Sequence, residues 1–292
     1  MKNIQTAQAA PELKHWDMII EPHRNLLDLK LGDLWRARDL VMLFVWRDFV
    51  AFYKQTILGP LWYIIQPLLT TVVFTFIFGS VAKLPTDGLP QFLFYMSGTV
   101  VWSYFAACIT NTSNTFINNS QLFGKVYFPR LAVPVSILIS GLIAFVIQFV
   151  FFLCFMGYFA LRGSVLHPNW WILLTPALIL LMAGLGLGLG VIISALTTKY
   201  RDLRFLVQFG VTSLMYATPA ILPLSSFPQR FQWIILANPM TPIMETFRYA
   251  FLGGAGIVNL PDLAYSFGFM VIVVIIGSVM FNRVEQTFMD TV

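Results

Sequence analysis

Between Leu61 and Ala82 the chain runs for 22 residues without a charged side chain, and no other feature constrains its fold so tightly. As a helix rising about 1.5 Å per residue, the run reaches roughly 33 Å, enough to cross a hydrocarbon core about 30 Å thick. Comparable uncharged runs recur, so six spans are predicted near residues 61–82, 92–112, 131–159, 171–196, 205–224 and 263–282. Composition agrees, with 58% hydrophobic and only 11% charged residues, far from the averages of a water-soluble domain. The expected fold class is an all-α integral membrane protein.

Lysine and arginine accumulate on the cytoplasmic side of a membrane protein. With the amino terminus inside, 14 of the 18 fall on that side, eight of them before Leu61; Lys83, Arg162, Arg230 and Arg248 fall opposite. Both termini are therefore expected in the cytoplasm. These boundary positions explain the net charge of +5 without a nucleic-acid face. Met1 to Arg38 has no apolar core, so no signal peptide is expected and the first hydrophobic segments direct insertion. Cys108 and Cys154 lie inside spans at no metal-ligand spacing and read as small buried hydrophobes.

The segment Leu40 to Tyr53 is apolar, carries Arg47 and Asp48 at its middle and is too short to span. On a helical wheel Val41, Val45, Phe49 and Phe52 share one face, with Arg36, Arg47 and Lys54 on the other. Residues 34–58 thus read as an amphipathic helix outside the bilayer core, after a cytoplasmic segment 1–33. Two placements fit: in the membrane interface with Trp35 and Trp46 as anchors, or packed on the protein's own cytoplasmic surface. The elbow from this helix into the first span falls at Gly59-Pro60. Glycine there permits backbone angles closed to other residues, and proline suits the first helical turn.

Four stretches in order carry a resemblance: YKQTILGPLWYIIQPLLTTVVFTFIFG, KVYFPRLAVP, TTKYRDLRF followed by YATPAILP, and ANPMTPIMETFRYAFLGG. They resemble the membrane permease subunit of bacterial ABC-2 type exporters. Within that family the chain is most similar to polysaccharide and polyol phosphate exporters, O-antigen permeases included, over roughly Arg47 to Arg283. The resemblance implies that residues 59–292 form a multi-pass transmembrane domain in the bacterial inner membrane. It implies a homodimer that docks two separate ATPase subunits and moves an undecaprenyl-type lipid-linked polysaccharide. ATP and magnesium would be bound by those subunits, with no cofactor and no hydrolysis in this chain. Gly124-Lys125 is the nearest approach to a P-loop, but Asn119 stands where its first glycine belongs and Val126 where Ser or Thr must hold magnesium.

Two short cytoplasmic loops are available for docking. Thr197 to Arg204 carries charges of both signs, and the resemblance points to Tyr200, Arg201 and Asp202 as ATPase-coupling residues. In the loop Asn114 to Arg130 the candidates are Lys125 and Arg130. Positive-inside anchoring would also account for these basic residues. No catalytic or metal site is expected, since His15, His23 and His167 are scattered. Glu245 and Arg248 read as a local ion pair in an outward-facing amphipathic stretch. That stretch, Ser225 to Gly256, is broken by Pro228, Pro239, Pro242 and Gly253, and reads as one or two short helices re-entering the outer half of the membrane.

A sugar polymer presents flat C–H faces edged with hydroxyls, and aromatic rings with polar tips suit both. Trp62, Tyr63, Tyr95, Trp102, Tyr104 and Tyr216 are therefore candidates for a channel lining; packing and interfacial belts are the other roles open to them. Gly184, Gly186, Gly188 and Gly190 superimpose two small-xxx-small patterns and predict close helix contact. The expected function is the permease of a lipid-linked polysaccharide exporter. The alternatives are an ABC-2 efflux permease for a drug or small lipid, a membrane enzyme acting on lipid-linked sugars, and a structural anchor.

Overall fold

Glycine and proline decide where the helices of this chain turn. The computed structural model describes residues 31–54, 56–123, 128–164, 166–198, 200, 202–253 and 258–291. The segment 1–30, Lys125 and Arg201 lie outside the described residues. Among the described residues every regular element is helical. Two helices come first, α1 (Leu31–Arg36) and α2 (Arg38–Lys54). At the elbow Gly59 adopts φ +52° and Pro60 opens a 3-10 turn, Gly59–Leu61. The left-handed angle is open to glycine at no steric cost. The first span continues as α3 (Trp62–Phe74), with Pro67 inside it, and ends in a π-helical stretch, Thr75–Val81.

After it come α4 (Gln91–Ser113), the short α5 (Thr115–Asn118) and α6 (Ser120–Phe123), and α7 (Ala132–Leu161). A 3-10 turn, Trp170–Leu174, leads into α8 (Thr175–Thr197). The remainder is α9 (Leu203–Tyr216), α10 (Gln229–Leu236), α11 (Met240–Leu252) and α12 (Leu260–Thr291). Among the described residues five helical stretches are long and apolar enough to cross a membrane: Gly59–Val81, Gln91–Ser113, Ala132–Leu161, Trp170–Thr197 and Leu260–Val284.

The sixth expected span, 205–224, differs. Its helix α9 has 14 residues, about 21 Å, and gives way to turns and irregular backbone around Pro219 and Pro223. Hydropathy is blind to those prolines, which cannot donate to a helical ladder. The irregular run is covered by protein: Thr218, Ala220 and Ile221 are buried. A methyl group added at Gly98 of α4 would stand 2.8 Å from the Ala220 carbonyl oxygen. Non-helical backbone at membrane depth is tolerated only when buried or wetted in this way.

Helix α4 is the axis of the fold, buried on most sides and packed against α3, α7, α8, α9 and α11. The glycine series of α8 explains how two neighbours fit so close. A methyl at Gly186 would collide with Cys108 of α4, and one at Gly190 would lie 2.6 Å from Thr112 Cβ. The alternate pair faces α12, where a methyl at Gly188 would meet the Val273 carbonyl carbon at 2.8 Å and one at Gly184 would strike Met270. The four-residue spacing therefore serves two partners at once. Cys108 is buried as expected, whereas Cys154 is exposed on the outer side of α7.

The helix α2 packs Val41 and Phe44 into a second apolar cluster with Phe116, Phe123, Phe128 and Phe281, and its Val45 is buried too. Its other side leaves Met42, Leu43 and Trp46 exposed, and Trp35 of α1 is exposed as well. Of the wheel's apolar face Val41 and Val45 are buried and Phe49 is half-buried, while the side chain of Phe52 lies outside the described residues; Phe44 is buried in addition, because α2 is apolar on two faces.

Candidate functional site

Uncharged polar side chains are scattered through the spans, and the fold collects many of them on one groove. A cleft of about 630 Å³ opens between α3, α4, α7 and α9. Trp62, Tyr63, Trp102, Tyr104 and Tyr216 all border it, which brings together five of the six aromatic candidates. Between the rings stand Gln66, Thr70, Thr99, Ser103, Asn111, Gln148, Gln208 and Thr212. These polar residues were not singled out from sequence. The available signal was their four-residue spacing, Gln66 with Thr70, Thr99 with Ser103 and Gln208 with Thr212, which places each pair on one helix face.

Tyr95 is not part of the cleft. It lies one turn beyond Thr99 on the same side of α4 and is fully buried, with its ring 6.4 Å from Phe74 and 6.3 Å from Phe78. Phe74 borders the cleft and closes that end. Thr71 and Thr99 share a buried hydrogen bond of 3.0 Å just below it, tying α3 to α4.

Toward α2 the groove continues into a recess of about 530 Å³ that shares Tyr63, Ala107, Asn111, Gly141 and Ala144 with the cleft. Arg47, Asp48, Asn118 and Asn119 border its far end. Arg47 holds Asp48 at 2.7 Å and lies 4.9 Å above the Phe44 ring. Polar and aromatic lining thus runs from the surface helix to the middle of the spans.

The opposite end of the bundle is closed by α10 and α11. Glu245 and Arg248 do form an ion pair, 3.3 Å apart, but it is buried at 6% and 2% exposure instead of lying on an exposed face. Arg248 also donates 2.7 Å to the Pro219 carbonyl and 3.4 Å to Ser97 Oγ, with its guanidinium 3.8 Å from the Phe94 ring centre. One side chain therefore joins α11, α4 and the broken backbone after α9. Ser225 donates to Asp87 at 2.8 Å, adding a tie to the loop before α4.

Comparison with known proteins decides the family. The ABC-2 type transporter profile matches residues 39–252, well over half of the chain. The chain belongs to the ABC-2 type transporter family. Three relatives align over most of its length, each named an O-antigen export system permease protein RfbA. Two are from Klebsiella pneumoniae, 28% identical over 86% of this chain and 94% of the relative, and 27% identical over the same shares. A third, from Myxococcus xanthus, is 29% identical over 75% of this chain and 82% of its own length.

For a transporter of this family the end carrying α2 is the other region of interest. The α8 carboxyl end is pinned to α4 through Thr197, whose hydroxyl donates 3.1 Å to the Ser113 carbonyl. Tyr200, 52% exposed, and the exposed Asp202 lie in the short turn between α8 and α9. Arg130, at the start of α7, lies 5.5 Å over the Phe123 ring of the same end. Tyr200 and Asp202 therefore sit in a short turn joined directly to α8 and α9, and Arg130 sits two residues before α7.

Proposed function

We propose that this chain is the membrane permease of an ATP-driven exporter that carries a lipid-linked polysaccharide such as O-antigen across the bacterial inner membrane. The observation that carries the reading is the alignment of most of the chain with three O-antigen export permeases. The groove supports it, because rings with polar edges and uncharged amides suit a polyhydroxylated polymer better than an acyl chain or an apolar drug.

In this reading the groove is one wall of the export path, completed by a second copy of the chain in a homodimer. The short helix α9 and the irregular backbone after it together make a sixth passage, which leaves both termini in the cytoplasm as the basic residues ask. The helix α2 lies at the membrane interface, its exposed Trp46 and the exposed Trp35 of α1 seated among headgroups and its other face on the protein. Two ATPase subunits, supplying ATP and magnesium, dock on the turn holding Tyr200, Arg201 and Asp202 and on the loop holding Lys125 and Arg130. Gly59-Pro60 links the surface helix to the first span.

Deleting the gene tests the proposal. Polymer should disappear from the cell surface while its lipid-linked form accumulates inside, and a plasmid copy should reverse both. Undiminished surface polymer in the deletion strain, or a polymer that is made but lacks one sugar, would overturn it.

A further inference from the structure

Gln148 lies midway along the 30-residue helix α7 and is 8% exposed, yet its buried Oε1 has no hydrogen-bond partner among the described residues. It borders the cleft. Two turns away, Ser140 borders the adjoining recess, and its Oγ is likewise buried without a partner among the described residues. Eight residues separate them, about 12 Å along one face of the helix. Gly141 and Ala144 stand between and border both the cleft and the recess. Packing gives no reason for such a pair. An apolar side chain of equal length would occupy the place of Gln148 without a desolvated, unanswered amide at mid-membrane depth.

We propose that Gln148 and Ser140 form a hydrogen-bonding rail that receives hydroxyl groups of the polymer while its sugar faces rest on the rings opposite. This rests on the reading of the groove as export path. An amide accepts and donates, as a sugar hydroxyl does, so a polyhydroxylated ligand answers it at any rotation of the ring. An acyl chain answers neither atom. The 12 Å spacing places the two contacts on different units of an extended polymer, which holds it in the groove without fixing one register.

The test uses the whole transporter in cells that lack their own copy of the gene, scored by the rate at which surface polymer appears. Gln148→Met keeps length and removes the amide. Export should slow by about three- to tenfold, the worth of an ordinary hydrogen bond. The melting temperature of the detergent-purified protein should stay level or rise, because a buried unpartnered group has been removed. Ser140→Ala should slow export further in combination, and Gln148→Asn should restore part of the rate. Normal export by Gln148→Met would overturn the rail, as would a fall in melting temperature that accounts for the lost export. A separate arm checks the path itself. Ala107→Cys, in a background with the exposed Cys154 replaced by Ala, is alkylated with a bulky maleimide. Blocked export there with normal export by Gln148→Met defeats the rail alone, whereas export that persists after full alkylation defeats the groove reading.

Discussion

Arg248 donates from Nη2 to the carbonyl oxygen of Pro219 across 2.7 Å, and through it α11 holds the irregular backbone after α9 in place. The carbonyl belongs to backbone that has left its helix and has no water-facing side, so an internal donor is what makes the break tolerable. Glu245 and the Phe94 ring hold the guanidinium for the task.

Arg248→Met should therefore be severe. It strands the buried Glu245 carboxylate and the Pro219 carbonyl together, a loss of about 3–5 kcal/mol for breaking one half of a buried pair. Glu245→Leu combined with Arg248→Met should recover much of that loss. Thermal unfolding in detergent, arranged as a double-mutant cycle, measures the coupling. Additive losses would show that the two side chains act independently.

A second expectation concerns the glycines of α8. At Gly188 the nearest obstacles are backbone atoms of Val273 and Val274, 2.8 Å from an added methyl. Backbone cannot rotate aside, so Gly188→Ala should force α8 and α12 apart at a cost of about 1–3 kcal/mol. Gly157→Ala and Gly210→Ala, which meet nothing within 4 Å, should be neutral or slightly stabilising. Chemical or thermal denaturation of the purified variants separates the two outcomes.

At the elbow the prediction turns on a single angle. Gly59 holds φ +52°, which costs about 1–2 kcal/mol for most other residues but less for asparagine. Gly59→Asn should retain more export than Gly59→Val at equal protein levels, and Gly59-Pro60 replaced by Ala-Ala should insert but export poorly. Equal activity of all three would show that the corner's angle does not matter.

The turn between α8 and α9 makes the fourth. Tyr200→Ala removes an exposed ring and should change stability by less than about 0.5 kcal/mol. If the turn is a docking surface, copurification of the ATPase subunit drops several-fold. Intact copurification with normal export would leave the turn with topology alone to serve.

Much of this architecture was legible because charge-free length is a local property. The first span, the central α4 and the glycine contacts of α8 could all be read from runs and spacings. The end of α9 was not, since the uncharged run continues from Phe205 through Leu224 while Pro219 and Pro223 break the ladder beneath it. Tyr95 shows a different limit. Its ring with a polar tip made it a lining candidate, but Phe74 and Phe78 from the first span decide where the groove closes. The buried pair of Glu245 and Arg248 was visible as a pair and invisible as buried, because α4 and the run after α9 enclose it from far along the chain.

The first span carries three helical pitches in succession, and that gives it a property no uniform helix has. Its wide turn closes where the Ala82 N–H reaches the Ile77 carbonyl at 2.8 Å, five residues back. Such a turn holds one residue more than the α-helical ladder needs. As a hypothesis, handing that surplus along the helix would swing every side chain it passes through one residue's arc, about 100°, while both ends of the span stay where they are. A cysteine scan of residues 62–81 would register this as a phase break in labelling that shifts between resting and ATP-bound transporter; an unchanging phase would rule it out. The segment would then act as a rotor, presenting the groove with one row of side chains and then another.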